Sequence, residues 1–304
     1  KRRPTRPDMR ATIARGLLAL VLLGLVVIYV EPSQMFVAVQ RLDPTWVLLT
    51  IVLGGVALAV QWWKWSQLSA LLSTPLTKGQ LTRSLFGGFA LGMISPGRIG
   101  EFGRAIFVAD QHRSVSLLTA LDRCVSAAVT IFSAGMALAI YLPVSRWPLL
   151  LLLLLTIGIT LVTREKIFRL WGNTGLPPWN EVARSRLWKN GAGAILFNFL
   201  FFAQLYCLLL AGGQVPTAAI LGIPLVFAAK TLVPLAPMDL GVRETAAVFV
   251  LGHFGIASVI ALQASLLLFA INVLGPGLIG LAMTGTRRWQ GVCLPFSSPS
   301  TYPS

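Results

Sequence analysis

Ionisable side chains inside otherwise apolar stretches are the residues of this sequence most able to do chemistry. They form two clusters, each beside a break rich in Pro and Gly. The first cluster contains Arg98, Glu101, Arg104, Asp122 and Arg123, and the second contains Lys230, Asp239, Arg243 and Glu244. An ionisable group at membrane depth carries a large free-energy cost unless it is paired or hydrated, so these residues are expected to be functional.

Both breaks have the features of an anion site. A helix that starts after a proline-containing break presents free N–H groups and the positive end of its dipole. Arginine can donate two parallel hydrogen bonds to a phosphate or carboxylate. We therefore predict that the cations of the two clusters, with Gly100 and Gly241, bind a phosphate-bearing lipid head group. The carboxylates would orient the arginines or bind a cationic part of the same ligand.

A structural reading of the same residues stays open. Pairs such as Asp122 with Arg123, or Arg243 with Glu244, would then only fix helix packing. Three other features favour such roles. Lys64 lies among three tryptophans and is typical of an interfacial anchor, the glycines at 87, 88 and 92 are typical of close helix contacts, and His253 is expected to be interfacial.

The composition requires a membrane. Of the 304 residues, 56% are hydrophobic and 12% are charged, and the mean hydropathy is +0.77, whereas a soluble domain has about 25% charged residues. This excludes a soluble enzyme, a disordered chain and a disulfide-stapled domain. The net charge of +15 does not predict nucleic acid binding, because Lys and Arg are concentrated in short connections beside apolar stretches.

The sequence contains few of the residue patterns that metal binding, disulfide formation or nucleophilic catalysis would need. The three cysteines are far apart, and the two histidines have no carboxylate or cysteine at ligand spacing. Neither a His-based triad nor a Walker motif is present. We expect no cofactor and no metal site.

The apolar stretches predict an all-α polytopic membrane protein. Six are long enough to span a bilayer, at about 20 helical residues each. They lie near 14–32, 45–70, 116–142, 147–163, 191–212 and 257–284. The first follows a basic segment that resembles a signal peptide, but Tyr29 to Pro32 offer no small-residue cleavage site, so we read it as a retained helix.

Basic residues predict the orientation. Lys and Arg fill one set of connections, whereas the opposite set contains only Arg41 and Arg146, so both termini should be cytoplasmic. The region 79–111 is basic at both ends and should enter and leave from inside. The region 217–255 is not basic at either end and should enter and leave from outside. We therefore predict two opposed re-entrant hairpins.

The two halves match at a fixed offset. Pro96 and Pro237 head similar Pro-x-x-apolar-Gly frames, 141 positions apart, and flanking spans pair at nearly the same offset. Each half has three spans and one hairpin, so the second half should be inverted, as in transporters with inverted repeats. We predict one integral-membrane domain over 1–288, with repeats near 12–142 and 147–285. The polar segment 289–304 is expected to be a disordered tail.

Two segments resemble the lysylphosphatidylglycerol synthase transmembrane family. They are Ser95-Pro-Gly-Arg-Ile-Gly-Glu-Phe-Gly-Arg104 with Ala120-Leu-Asp-Arg123, and Pro234-Leu-Ala-Pro-Met-Asp-Leu-Gly-Val-Arg-Glu-Thr-Ala246. The resemblance covers roughly residues 12–285. The family's second motif usually reads Pro-Gly-Gly-x-Gly-x-x-Glu, whereas Met238 and Asp239 replace two glycines in this chain.

The resemblance implies a flippase fold with re-entrant helices, in the inner membrane. Its members move aminoacylated phospholipids or act near polyprenyl-linked sugar pathways. We expect a lipid transporter, not an enzyme, for an anionic or aminoacylated phospholipid or a polyprenyl-phosphate-linked lipid. Two alternatives stay open: a non-transporting partner of a glycosyltransferase or lipid-modifying enzyme, and a lipid transferase with Glu101 or Asp122 as base. A homodimer and a separate partner enzyme also stay open.

Overall fold

The computed structural model describes residues 24, 32–93, 95, 98–108, 111–142, 171–172, 176, 180–233 and 240–285. Within these residues the protein is helical and contains no strand. The helices are α1 Pro32–Gln40, α2 Pro44–Ser69, α3 Lys78–Met93, a 3₁₀ helix Ile99–Phe107, α4 His112–Tyr141, α5 Glu181–Gly212, α6 Ala219–Leu232, α7 Val242–Ala246, α8 Ser258–Phe269 and α9 Gly275–Gly285. Helix α7 continues as a π-helical turn over Ala247–Leu251, and a second π-helical turn, Ala270–Leu274, joins α8 to α9.

Side-chain caps fix where two of the long helices begin. Asp43 accepts a hydrogen bond from the backbone N–H of Thr45 at 2.8 Å, and Pro44 occupies the first turn of α2. Asn180 accepts from the N–H of Ala183 at 2.9 Å at the start of α5. Each cap satisfies a backbone donor that has no partner within the helix.

Four described helical segments are long and apolar enough to cross a membrane: Pro44–Ser69, His112–Tyr141, Glu181–Gly212 and Ser258–Thr284. The last of these comprises α8, the second π-helical turn and most of α9. At most 44% of the most apolar part of any of them is buried. Large apolar side chains such as Leu48 and Phe199, each 63% exposed, cover their outer surfaces. Such surfaces suit lipid and not water, so the protein is a multi-pass membrane protein.

These four helices match four of the six predicted spans. The spans predicted near 14–32 and 147–163, apart from Gly24 and Pro32, lie outside the described residues, as does the tail 289–304. Each predicted hairpin region contains two helices and not one plain helix. In the first, α3 is followed by a break and the 3₁₀ helix, which packs back against α3. In the second, α6 is followed by α7, which also packs back on α6.

Helices from the first half of the chain pack against helices from the second half. The long helices α2 and α5 pack on each other. Helix α3 of the first half packs on α9 at the end of the second half, and α6 of the second half packs on α4 at the end of the first. The helices on either side of each break are thereby packed against long helices of both halves.

Small residues let α9 approach α3 closely. A Cβ on Gly280 would lie 2.1 Å from the carbonyl oxygen of Phe86, and a Cβ on Gly277 would lie 2.7 Å from the sulfur of Met93. Backbone-to-backbone contact of this kind gives dispersion energy that does not depend on water, which is the main source of helix association in lipid.

Gly280→Ala should therefore force α9 away from α3 and lower the free energy of unfolding by about 1–3 kcal/mol, the usual cost of overpacking. The measurement is the thermal unfolding midpoint in detergent. Gly55→Ala is the matched control, because a Cβ at this exposed helical position meets nothing within 4 Å and alanine favours helix by about 1 kcal/mol. Equal midpoints for the two variants would contradict the close-contact role of Gly280.

Candidate functional site

Three of the predicted site residues lie along one face of the 3₁₀ helix. This helix has about three residues per turn, so side chains three positions apart are stacked above one another. Arg98, Glu101 and Arg104 have this spacing. Nη2 of Arg98 lies 2.7 Å from Oε1 of Glu101, and Nη2 of Arg104 lies 3.2 Å from its Oε2. Arg123 on α4 also pairs with Oε2 of Glu101, so one fully buried carboxylate is shared by three arginines.

Glycines on α3 make room for these side chains. A Cβ on Gly88 would lie 2.5 Å from Cγ of Arg104, and one on Gly92 would lie 2.7 Å from Cγ of Glu101. Both glycines are close-contact positions, as predicted, but their neighbours are the charged side chains of the site. Gly100 has a related role: its Cβ would lie 2.0 Å from the carbonyl oxygen of Leu91, so the 3₁₀ helix touches α3 through backbone.

Asp122 on α4 is the second buried carboxylate. Nζ of Lys64 lies 2.9 Å from its Oδ1, and Nη1 of Arg104 lies 3.6 Å from its Oδ2. Gln61 and Asn190 donate side-chain hydrogen bonds to it at 3.0 and 3.2 Å. Arg104 thus joins Glu101 to Asp122, and it also stacks over the ring of Trp65 at 4.9 Å.

The prediction that Lys64 is an interfacial anchor is wrong. Its side chain is fully buried, pairs with Asp122, and donates a hydrogen bond to Ser126 at 3.1 Å. A signal was present in the sequence, because Gln61, Lys64 and Gln67 form a polar stripe at three-residue spacing on an apolar helix. No comparable pattern marks Asn190, which the sequence analysis also missed.

Arg98 has an unusual backbone. Its φ of 57° and ψ of 27° place it in the left-handed region, and it is the only described residue other than glycine with a positive φ. This conformation costs about 1–2 kcal/mol for a residue with a Cβ. The break therefore holds Arg98 in a strained conformation that turns the chain into the 3₁₀ helix, as is often seen where a side chain has a functional role.

A cavity of about 240 Å³ lies between the two halves, beside this cluster. Arg98, Arg123 and Lys230 contribute positive charge to its wall, and Asp122 contributes one carboxylate. The wall is also aromatic, with Phe89, Phe197, Phe201 and Phe227. The structure therefore brings Lys230, predicted as part of the second cluster, onto the same cavity as the first cluster.

Arg243 and Glu244, the other described charged residues of the second cluster, form a separate network that does not line this cavity. Arg243 and Glu244 are buried and paired at 2.6 Å. Nε of Arg243 donates to the hydroxyl of Ser265 at 2.9 Å, and Glu244 accepts from the backbone N–H of Gly241 at 2.7 Å. Gly241 has a φ of 86°, which suits glycine. Substrate binding by Gly241, Arg243 and Glu244 stays a prediction, and Asp239 lies outside the described residues.

Comparison with known proteins identifies one family. The family model described as lysylphosphatidylglycerol synthase TM region matches residues 13–280. No curated protein and no solved structure matches the chain. Within the residues that the structure describes, no group of three or more His, Cys, Asp or Glu side chains could hold a metal ion.

Asp122→Asn should destabilise the protein by about 3–5 kcal/mol, because it leaves the buried Lys64 and Arg104 without their shared counter-charge. The thermal unfolding midpoint in detergent measures this. Asp43→Asn is the matched control, since Asp43 is an exposed helix cap and asparagine caps equally well. Adding Lys64→Met to Asp122→Asn removes one uncompensated cation and should restore part of the loss. A midpoint for Asp122→Asn equal to that of the control would contradict the ion-pair assignment.

Proposed function

Because this chain belongs to the lysylphosphatidylglycerol synthase TM region family, we propose that it is a lipid transporter of the inner membrane. In this proposal the central cavity binds the phosphate-bearing head group of a lipid, and the protein passes that lipid between the leaflets. The lipid is an anionic or aminoacylated phospholipid, or a polyprenyl-phosphate-linked lipid. No chemical conversion of the lipid is involved. The observation that carries the proposal is a cavity whose wall combines three cations with four phenylalanines.

The wall is suited to the two parts of a lipid. Guanidinium and ammonium groups donate charge-assisted hydrogen bonds to phosphate oxygens, and these bonds are about twice as strong as those between neutral groups. The phenylalanine rings can contact the first carbons of the lipid chains. Most ligand cavities share this pattern of an apolar lining with a few convergent polar groups.

Sequence offset and packing together support an inverted repeat. Helices α3 and α6 begin at Lys78 and Ala219, which are 141 positions apart, as are the two motif prolines. Two pairs of cavity-lining residues have the same separation: Phe89 with Lys230, and Ala57 with Asn198. The cavity would then lie on the axis between the repeats. In this proposal, the segments around α3 and around α6 are re-entrant hairpins that enter from opposite sides.

Binding would proceed by exchange of counter-ions. Arg98 and Arg123 are both paired with Glu101. A phosphate in the cavity would compete with Glu101 for these two guanidinium groups, while Arg104 keeps the carboxylate neutralised from behind. Because Arg98 sits in the strained break, moving its side chain toward the phosphate would also act on the hairpin backbone. Rocking of the two repeats would then change which side the cavity opens to.

Arg98→Gly tests transport apart from folding. Glycine relieves the left-handed backbone, and Glu101 keeps Arg104 and Arg123 as partners, so the variant should fold normally. Loss of a charge-assisted hydrogen bond worth about 1.5–3 kcal/mol should slow transport about tenfold or more. The assay is dithionite reduction of acyl-labelled fluorescent phosphatidylglycerol or phosphatidic acid in proteoliposomes.

Arg83→Gln is the control for that experiment, because Arg83 is exposed on α3 and does not line the cavity. It should transport at the wild-type rate. Two results would contradict the proposed function: the same rate in wild-type and protein-free liposomes, or undiminished transport of both lipids by Arg98→Gly with an unchanged unfolding midpoint.

The proposed orientation places both termini in the cytoplasm. After the native cysteines are replaced, a cysteine at Arg41 should react with a membrane-impermeant maleimide in intact cells. A cysteine at Thr77, which is also exposed, should react only after the membrane is opened, because the two connections lie on opposite sides. The opposite labelling pattern would contradict the proposed orientation and would place both termini outside the cytoplasm.

A further inference from the structure

Uncharged polar side chains form part of the cavity wall, beside the cations and the phenylalanines. They are Gln61, Ser126, Thr130, Asn198, Thr231 and Asn272. On the basis of the proposed function, in which the cavity holds a lipid head group, we infer that Gln61 and Asn272 form a specificity subsite for hydroxyl groups. Each of the two side chains accepts a hydrogen bond in this subsite, so the head group of the transported lipid is a polyol such as glycerol or a sugar.

Gln61 on α2 has a free acceptor. Only 4% of this residue is exposed, and its Nε2 donates a hydrogen bond to Oδ2 of Asp122 at 3.0 Å. An ionised carboxylate only accepts hydrogen bonds, so this contact fixes which end of the amide faces Asp122. Oε1 of Gln61 accepts no hydrogen bond from any described residue. A buried carbonyl oxygen without a donor carries a free-energy cost, which a hydroxyl group in the cavity would remove.

Asn272 offers a second acceptor, and its orientation is fixed in the same way. Its Nδ2 donates to Oε1 of Gln204 at 2.7 Å and to the carbonyl oxygen of Leu268 at 3.3 Å. Gln204 in turn donates its Nε2 to the carbonyl oxygen of Thr50 at 3.4 Å. Because both amides give their N–H groups to carbonyl oxygens, Oδ1 is the end of Asn272 that is left for a ligand. This oxygen accepts no hydrogen bond from a described residue.

The two acceptors lie in separate parts of the cavity. A Cβ on Gly54, another wall residue, would lie 3.7 Å from Oδ1 of Asn272. Gln61 follows Gly54 by seven residues on α2, which is about 10 Å along the helix axis. Asn272 also belongs to the π-helical turn Ala270–Leu274, and such turns are frequent at functional sites. Two acceptors spaced along a helix suit a head group that has several hydroxyl groups.

The other neutral groups of the wall distinguish a hydroxyl group from other donors. Thr130 and Thr231 use their hydroxyl hydrogens within the protein, in bonds to Asn198 and to the carbonyl oxygen of Phe227, so their oxygens can only accept further hydrogen bonds. Oγ of Ser126 accepts from the buried lysine at 3.1 Å, and its hydrogen has no acceptor among the described residues. The wall therefore offers several acceptors and a donor. A hydroxyl group can bond to both kinds, whereas an ammonium group only donates.

Native mass spectrometry of the purified full chain in detergent tests the inference with two lipids of equal charge. Dioleoyl phosphatidylglycerol and dioleoyl phosphatidylpropanol share a phosphodiester and a three-carbon head group, but only the first has hydroxyl groups on it. We expect phosphatidylglycerol to bind about tenfold tighter, because its hydroxyl groups gain uncharged hydrogen bonds in the subsite. Dioleoyl phosphatidylethanolamine tests an ammonium group. Glycerol 3-phosphate is the soluble arm, since it lacks the chains that the phenylalanines can contact. Both should bind more weakly than phosphatidylglycerol.

Asn272→Leu and Gln61→Met each remove one acceptor and keep a side chain of similar size. Each variant should reduce the preference for phosphatidylglycerol over phosphatidylpropanol to about threefold or less. A loss of stability does not mimic this result, because the two lipids are compared on the same variant and a change in the fold affects both. Gln40→Met is the matched control, since Gln40 is exposed at the end of α1 and does not line the cavity. It should keep the wild-type preference.

Each other outcome overturns a defined statement. Equal binding of phosphatidylglycerol and phosphatidylpropanol, with both weakened by Arg98→Gly, would overturn the hydroxyl subsite and leave the proposed lipid site standing. A preference for phosphatidylglycerol that survives in both variants would overturn the assignment to Gln61 and Asn272. Phosphatidylethanolamine bound as tightly as phosphatidylglycerol would overturn the choice of a hydroxyl group, and glycerol 3-phosphate bound as tightly would overturn the lipid source. Lipid binding that Arg98→Gly leaves unchanged would overturn the proposed function and the inference with it.

Discussion

A carboxylate shared by three arginines is the interaction on which the centre of this protein depends. Glu101 has no exposed surface, and an ionised group so placed is tolerated only when opposite charge surrounds it. Each local feature serves that requirement. The 3₁₀ geometry stacks Arg98 and Arg104 on either side of Glu101, the glycines of α3 leave room for the side chains, and α4 supplies Arg123.

Stability alone does not account for this cluster. Replacing a buried ion pair by apolar groups is often neutral or stabilising, so such pairs are weak evidence for a stabilising role. The cluster also borders a cavity, and Arg98 and Arg123 are part of the wall of that cavity. In the proposed function these guanidinium groups also bind the phosphate of a lipid in the cavity, which gives the buried cluster a role beyond stability.

The sequence predicted the parts that depend on local pattern. Apolar length identified four described membrane helices, and the Pro and Gly positions identified both broken segments. Residue type and spacing located Arg98, Glu101 and Arg104. Long-range packing decides the rest. The meeting of Lys230 with Arg98 requires both halves to be assembled, and Lys64 was missed because its tryptophan neighbours resemble an interfacial belt. Arg243 donates its hydrogen bonds to Ser265 and Glu244, whereas Arg98 lines the cavity. No sequence pattern distinguishes these two arginines.

The two halves of the chain contribute different residues to the cavity at positions that the proposed repeat makes equivalent, and this difference bears on the proposed transport. Lys230 in the second half corresponds at the 141-residue offset to Phe89 in the first, and both line the cavity. The cations on the wall therefore come from different halves: Arg98 and Arg123 from the first, Lys230 from the second. A phosphate bound to all three would link the halves directly. In the proposed rocking of the halves, the distances from the phosphate to the two sets of cations would change, so the strength of binding would depend on the conformation of the protein. Such differential affinity is what a ligand needs in order to shift a conformational equilibrium. A cavity whose cations all belonged to one half would lack it, because those cations would move together with the phosphate.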